Sequence, residues 1–400
     1  MTFPTSLEPG PAHAAAAGAG STLAARLAAR SPRRAAERRA LPVPARTETL
    51  VDFCSNDYLG LAQDPVTAAA LARAARDCGT GAGSSPLIDG RRDVHEALER
   101  RLSDWLGTEA TVLFSAGYAA NLGLLSALVD AEEEVHADRH IHASLIDGVR
   151  LAGARLRRFP HLDYETLEAR LSQPSPRARW LVSDGVFSMD GDTADPVRLI
   201  GLAARFDAPL ILDDAHGVGV LGPRGLGVLG AVPRCGAELA AVVGTFGKAF
   251  GLGGAFVSGP AAVIDAVVNR ARSYVYSTGL SPAIAGAVLD LWPEVIERDV
   301  RRARLAENLA RFRRGATRSG LPFLNSATPI QGLKVGDPAV ALALSEALAE
   351  RGFHVRAIRA PTVPAGTERL RITLSARHRP ADIDALIAAI VDAMEEVPLP

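Results

Sequence analysis

The chain has 400 residues, 48% of them hydrophobic, and its 44 basic side chains nearly balance 45 acidic ones for a formal net charge of -1. That length and apolar content support one large core and a smaller second domain, while the charge balance gives no overall pull toward nucleic acid or an anionic membrane. No uninterrupted apolar run reaches the length of a membrane span, and no basic segment precedes the N-terminal Ala/Gly tract as a secretory signal requires, so a cytoplasmic protein is expected. Cys54, Cys78 and Cys235 are odd in number and lack the spacing of a metal or redox motif, so they are expected to be reduced, small buried hydrophobes, with no metal.

Taken in chain order, residues 1–20 are rich in Pro, Gly and Ala without a periodic apolar face, and disorder is expected there. From Leu23 the stretch "LAARLAARSPRRAAERRA" reads as an arginine-rich helix with a solvated face, making residues 1–51 an N-terminal arm. Between 52 and 292, apolar runs expected as strands, "ATVLFS" (110–115), "WLVSD" (180–184), "PLILDD" (209–214), "AAVVGT" (240–245) and "GAFVSG" (254–259), alternate with helical patterns such as "YETLEARL" and "PVRLIGLAARF". Such alternation predicts an α/β domain whose large, mainly parallel sheet is covered by helices. Past Pro293 the texture changes to "RRARLAENLARFRRG" and then short strands and helices, which predicts a smaller α+β domain over 293–400.

In an open parallel sheet the ligand lies beyond the carboxyl ends of the strands. Polar residues gather there. "LILDDAHG" delivers Asp213, Asp214 and His216, "LVSDGVFSMDGD" delivers Asp184, Ser188 and Asp190, and "VVGTFGK" delivers Thr245 and Lys248. "SAGYAAN" places Gly117 and Tyr118 at an expected helix start, where free amides can hold a phosphate. Lys248 and Lys334 are the chain's two lysines. Arginine matches lysine in charge but stays protonated, so it cannot serve as an amine nucleophile or proton shuttle, and Lys248 is expected to be kept for its chemistry. Lys334, between turn formers, reads as a surface charge. The carboxylates of "SMDGD" read as a turn, since the other ligands of a calcium loop are missing. "GTGAGSSPLIDG" lacks the spacing and preceding strand of a dinucleotide fingerprint. An imine-forming lysine, an acid after another strand, a phosphate-holding turn and a histidine able to stack on a ring are together what pyridoxal 5'-phosphate (PLP) requires.

The motifs "FCSNDYLGLA", "ADRHIHASLIDG", "GVFSMDGD", "DDAHGVGVLG", "TFGKAFG", "YVYSTGLSP" and "APTVPAGTERLRITLS" resemble, in order, those of the α-oxoamine synthases, PLP enzymes of the aspartate-aminotransferase-like fold. The resemblance runs from about residue 38 to the C-terminus. It implies decarboxylative condensation of an amino acid with an acyl thioester. Its last motif points to the biotin-biosynthesis branch, which joins L-alanine to a pimeloyl thioester on CoA or acyl carrier protein. The alternative is a glycine-using member such as 2-amino-3-ketobutyrate CoA ligase or 5-aminolevulinate synthase.

Position by position, the resemblance implies that Lys248 forms the imine and removes the substrate Cα proton. Asp213 would pair with the pyridine nitrogen, His142 would stack on the ring, and His216 would bond its phenolic oxygen with Ser188 nearby. Thr245 and the backbone at Gly117 and Tyr118 would hold the phosphate, joined by Ser277 and Thr278 of a second copy, so a homodimer with shared sites is implied. Asn56 and Arg371 would receive the amino-acid carboxylate, and Arg38 or Arg39 the distal carboxylate of the acyl chain. His136 and His140 read as structural histidines, Asp214 as a carboxylate capping a turn, and Arg369 as a neighbour of Arg371 on one strand face. The segment "GAGSSPLIDGRR", with Pro86 and Leu87, departs from the family's pattern, so contacts to the acyl chain are expected to differ locally.

Overall fold

The computed structural model describes residue 23, residues 50–232, residue 236 and residues 238–397. The chain divides into two units, Met1–Thr47 and Glu48–Pro400, and in the first only Leu23, exposed and helical, is described. The expectations for residues 1–20, Arg38 and Arg39, and also for Cys235, therefore lie outside the described residues.

A seven-stranded sheet organises the second unit. After the short β1 (Val51–Asp52), its strands are β2 (Ala110–Phe114), β3 (Glu134–Asp138), β4 (Arg155–Phe159), β5 (Arg179–Asp184), β6 (Leu210–Asp213), β7 (Leu239–Thr245) and β8 (Ala255–Gly259). They lie in the order β2-β8-β7-β6-β5-β3-β4, with β8 antiparallel to both its neighbours and every other pair parallel. Both faces are covered, as strand periodicity requires of fully apolar runs. Leu113, Leu181, Leu210, Leu212 and Phe256 belong to one buried cluster, while Val112, Val135, Val182, Ile211 and Val257 belong to the other.

The helices α1 (Pro65–Cys78) and α2 (Asp93–Leu106) precede the sheet, and α3 (Gly117–Leu128), α4 (Ala143–Ala152), α5 (Tyr164–Leu171) and α6 (Pro196–Phe206) connect its strands. Local chemistry sets their limits. Asp163 caps α5 by accepting from the Thr166 amide, and Asp195 caps α6 by accepting from the Arg198 amide ahead of Pro196. Gly107 and Gly153 end α2 and α4 in the left-handed conformation.

Beyond the sheet come α7 (Ala261–Arg270), α8 (Arg272–Val275), α9 (Pro282–Trp292) and α10 (Val300–Arg318). The C-terminal part contains β9 (Ile330–Lys334), α11 (Pro338–Glu350), β10 (Phe353–His354), β11 (Arg356–Ile358), β12 (Arg369–Thr373) and α12 (Pro380–Glu396). Strands β11, β12 and β9 form an antiparallel sheet, and β1 pairs in parallel with β10. This β1–β10 pairing draws the segment "FCSNDYLG" against the C-terminal strands, and the Thr373 amide donates to the Phe53 carbonyl at 2.7 Å.

The cysteine expectation needs correction. Cys54 and Cys78 are free thiols, as read from the sequence, but each is only half-buried. Cys54 lies in the loop after β1, where its amide bonds to Asp52 and its thiol donates to the His354 carbonyl at 3.2 Å, and not in a strand or helix core.

Candidate active site

Parallel strands of matched register bring their last residues to one end of the sheet. Asp184 of β5 stands beside Asp213 of β6, which stands beside Val243 of β7. Past β7 the chain makes a tight loop. The Phe246 amide donates to Gly254, the Leu252 amide to Phe246 and the Gly251 amide to the Lys248 carbonyl, at 2.9, 2.9 and 3.0 Å. Phe246, Ala249 and Phe250 are fully buried and fix the loop, leaving Lys248 between them at the strand end. Thr245 Oγ1 donates to the Gly254 carbonyl at 2.8 Å and accepts from the Gly247 amide at 3.1 Å. Burial lowers the Lys248 amine to about 8, partly opposed by the carboxylates of Asp213 and Asp184. Lys334, by contrast, is exposed at the end of β9.

Asp213 is held on both oxygens. Asn121 Nδ2, from α3, donates to Oδ2 at 2.6 Å, and the Ala215 amide donates to Oδ1 at 3.0 Å. Asn121 Nδ2 also reaches Ser144 Oγ at 2.9 Å, and that hydroxyl lies 2.6 Å from His142 Nδ1. His142 caps α4, its amide donates to Asp184 Oδ1 at 3.2 Å, and its side chain stays exposed. Burial, followed by the nearby Asp213 charge, pushes the Asp184 carboxyl well above the ordinary carboxylate range. Asp214 turns away. It is fully buried, its Oδ2 accepts from the Val228 amide at 2.8 Å, and Gly185, Gly217 and Gly227 crowd it so closely that a Cβ on any of them would lie within 2.5 Å of its carboxylate. Burial raises it to about 8, which suits a structural acid.

His216 meets Tyr58, whose hydroxyl lies 2.6 Å from Nδ1. Burial, then the positive charges of Lys248 and Arg371, hold the imidazole well below its ordinary range, and burial raises the Tyr58 phenol to about 12. Phenol and imidazole therefore meet as neutral groups, and the Tyr58 hydroxyl also lies 3.4 Å from Asn56 Oδ1. The bond on Nδ1 orients the ring and leaves Nε2 facing away from the phenol.

Arg371 of β12 is buried, and three bonds fix its guanidinium. Nε donates to the Ser188 carbonyl at 2.6 Å, Nη1 to Thr373 Oγ1 at 3.0 Å and Nη2 to Asn56 Oδ1 at 3.0 Å. Arg369, on the same strand face, forms an ion pair with Asp190 instead. The "SMDGD" turn is thus more than a turn: Asp190 also lies 3.7 Å from His140 Nδ1, and Asp192 Oδ2 lies 2.7 Å from His161 Nε2.

At the other expected phosphate contact, α3 begins at Gly117 after Ala116, which supplies no side-chain cap, so the first amides of α3 have no partner there. A Cβ on Gly117 would meet nothing within 4 Å. Tyr118 is exposed and its hydroxyl bonds to Asp147. Ser277 is half-buried and Thr278 exposed, between α8 and α9, and neither bonds to the Lys248 cluster among the described residues. Tyr58, Asn121 and Ser144 had no assigned role from the sequence. A lone asparagine within the apolar "AANLGLLSAL" was the available sign of a buried polar network.

These groups fit PLP. An open, uncapped helix start can hold a phosphate, a carboxylate fixed on both oxygens can face a pyridinium, an exposed imidazole can cover a ring, and the buried amine can form an imine.

The description "Aminotransferase class I and II" matches residues 48–390. Among curated proteins, the chain is 49% identical over 342 residues to an 8-amino-7-oxononanoate synthase of Alkalilimnicola ehrlichii, covering 86% of this chain and 88% of the relative. It is 50% identical over 357 residues to the Chromohalobacter salexigens 8-amino-7-oxononanoate synthase, covering 89% and 92%. Among solved structures, it is similar to a serine palmitoyltransferase from S. paucimobilis with bound PLP–myriocin aldimine, at a TM-score of 0.82, 31% identity and coverage of 87% and 88%. The 8-amino-7-oxononanoate synthase of Francisella tularensis aligns with a TM-score of 0.77 and 27% identity, covering 87% of this chain and 99% of that one.

Proposed function

The chain belongs to the class I and II aminotransferase family, and we propose that it acts as a PLP-dependent 8-amino-7-oxononanoate synthase. It condenses L-alanine with a pimeloyl thioester, carried on CoA or acyl carrier protein, and releases CO2 and the free thiol. The observation that carries this reading is the meeting of Lys248, Asp213 and the Asn56–Arg371 pair at one sheet end, in a chain about half identical to enzymes of that name.

When bound, PLP supplies a carbonyl for the substrate amine and an electron sink for the charge left at Cα. The protein supplies the rest. Asn56 and Arg371 receive the alanine carboxylate, and the three bonds on Arg371 orient its guanidinium beforehand, which limits the entropy lost on binding. Lys248 Nζ, lowered to about 8, is uncharged often enough near neutral pH to take the Cα proton and later return it. Asp213, fixed by Asn121 and the Ala215 amide, holds the pyridine nitrogen. His142 would cover the ring face, and His216, oriented by its bond to Tyr58, would meet the phenolic oxygen beside Ser188. Thr245 and the amides at Gly117 and Tyr118 hold the phosphate. Ser277 and Thr278, unengaged with their own chain's cluster, reach the phosphate of a second copy, which makes the active form a homodimer.

No helix among the described residues is long and apolar enough to cross a membrane. The test is turnover with alanine or glycine against a series of acyl thioesters. Alanine with pimeloyl thioester is expected to give the highest kcat/KM, and preference for glycine with a short acyl thioester would overturn the reading.

A further inference from the structure

At the amino-terminal ends of the parallel strands, opposite the Lys248 end, the sheet edge carries a cavity of ≈ 730 Å³. Register builds its wall. Arg155 of β4, Glu134 of β3 and Arg179 of β5 stand side by side, and two residues further on Arg157 stands beside His136 and His136 beside Leu181. Side chains two apart share a face, so the two rows form one surface. Arg170 makes a fourth arginine around a single lining carboxylate, Glu134, while Arg158, one position on from Arg157, faces the other way and donates to the Arg139 carbonyl.

That carboxylate cannot balance them. Its Oε1 lies 3.5 Å from both Arg155 Nη1 and Arg157 Nη2. Arg179 Nη1 donates to the Leu171 and Gln173 carbonyls at 2.6 and 3.2 Å, and Arg170 Nη1 to the Arg158 carbonyl at 2.7 Å. Carbonyl partners orient a guanidinium without cancelling its charge. His136, 4% exposed, lines the same cavity with no hydrogen-bond partner on either ring nitrogen, its Nε2 lying 3.6 Å from Glu134 Oε2. A buried polar group without a partner is destabilising. Charges on the edge strand β4 would by themselves discourage pairing with another chain. That does not account for an unpartnered imidazole one strand further in.

We propose that this cavity binds a small phosphorylated anion. Guanidinium groups meet phosphoryl oxygens in pairs, the volume lies in the range of small-molecule sites and exceeds one phosphate, and a ring N–H of His136 gains the acceptor it lacks. The site shares no lining residue with the Lys248 cluster, so it stands apart from the proposed reaction.

The test is calorimetric titration of the holoenzyme with inorganic pyrophosphate, PLP then occupying the Lys248 site. One equivalent per chain is expected to bind. The Arg155→Ala/Arg157→Ala double variant is expected to weaken binding at least about tenfold, the loss of one charge-assisted contact or more. Glu134→Gln, which removes the competing carboxylate, is expected to tighten it, and turnover is expected to be unchanged in both variants. No binding at millimolar pyrophosphate, or wild-type affinity in both variants, would overturn the proposal.

Discussion

Tyr58 and His216, 158 residues apart in the chain, share a 2.6 Å hydrogen bond that fixes which imidazole nitrogen faces away from the phenol. In Tyr58→Phe the Nδ1 of His216 loses its hydrogen-bond partner in a buried setting. The variant should lose about 1–3 kcal/mol of stability and about tenfold in turnover, the equivalent of roughly 1.4 kcal/mol in the barrier. Denaturant melts and steady-state kinetics check both. Wild-type turnover in a folded Tyr58→Phe enzyme would remove His216 alignment from the account.

Lys248 makes a prediction about the apoprotein. Its amine is lowered from 10.5 to about 8, so the unfolded chain binds the proton more tightly than the folded one. The amine therefore opposes folding in full below about pH 8, and the penalty fades as the pH rises toward 10.5. Lys248→Met apoprotein should be more stable than wild type at neutral pH, by about 3 kcal/mol at most, with the gap closing in alkaline solution. Denaturation curves across that range measure it, and a gap that widens with pH would reverse the assignment.

Arg371 and Arg369 lie two residues apart but have different partners, Asn56 for the first and Asp190 for the second. Arg371→Ala should raise the KM for alanine on the order of a hundredfold while changing that for the thioester little. Arg369→Ala should act mainly on stability, since it leaves the half-buried Asp190 without its counter-charge. Separate titrations of the two substrates distinguish them. The reverse pattern would exchange the two roles.

His161 bridges Asp138 Oδ1 at 2.8 Å and Asp192 Oδ2 at 2.7 Å. Burial lowers its pKa, but these two bonds outweigh burial and raise it from 6.5 to about 9. Its contribution to stability is therefore complete below pH 6.5 and lost as the pH rises through about 9. The stability deficit of His161→Gln, read from urea melts, should be largest in mildly acidic solution and shrink above that range. A deficit independent of pH would mean that packing against Phe187, not the proton, carries the effect.

The five strands expected from apolar runs all form, because each has a buried, mainly apolar stretch that packs on both faces of the sheet. Strands β3 and β4 escaped notice for a physical reason: "EVHAD" and "RLRRF" carry charged residues on the face of the arginine-lined cavity, which breaks the apolar run. Lys248 and Asp213 were legible because strand ends and lysine scarcity single them out. The network from Asp213 through Asn121 and Ser144 to His142 was not, since it joins α3, α4 and β6 only after folding. The ion pairs of Asp190 and Asp192 were hidden likewise, their partners lying on β12 and after β4.

The central claim is that Lys248 drives decarboxylative joining of alanine to a pimeloyl thioester. Holoenzyme given carboxyl-labelled L-alanine and pimeloyl thioester, with products read by mass spectrometry, tests it most directly. The account predicts unlabelled 8-amino-7-oxononanoate and labelled CO2 from the wild type and neither from Lys248→Arg, which keeps the charge but loses the amine. Label retained in the product, or full activity in Lys248→Arg, would contradict it.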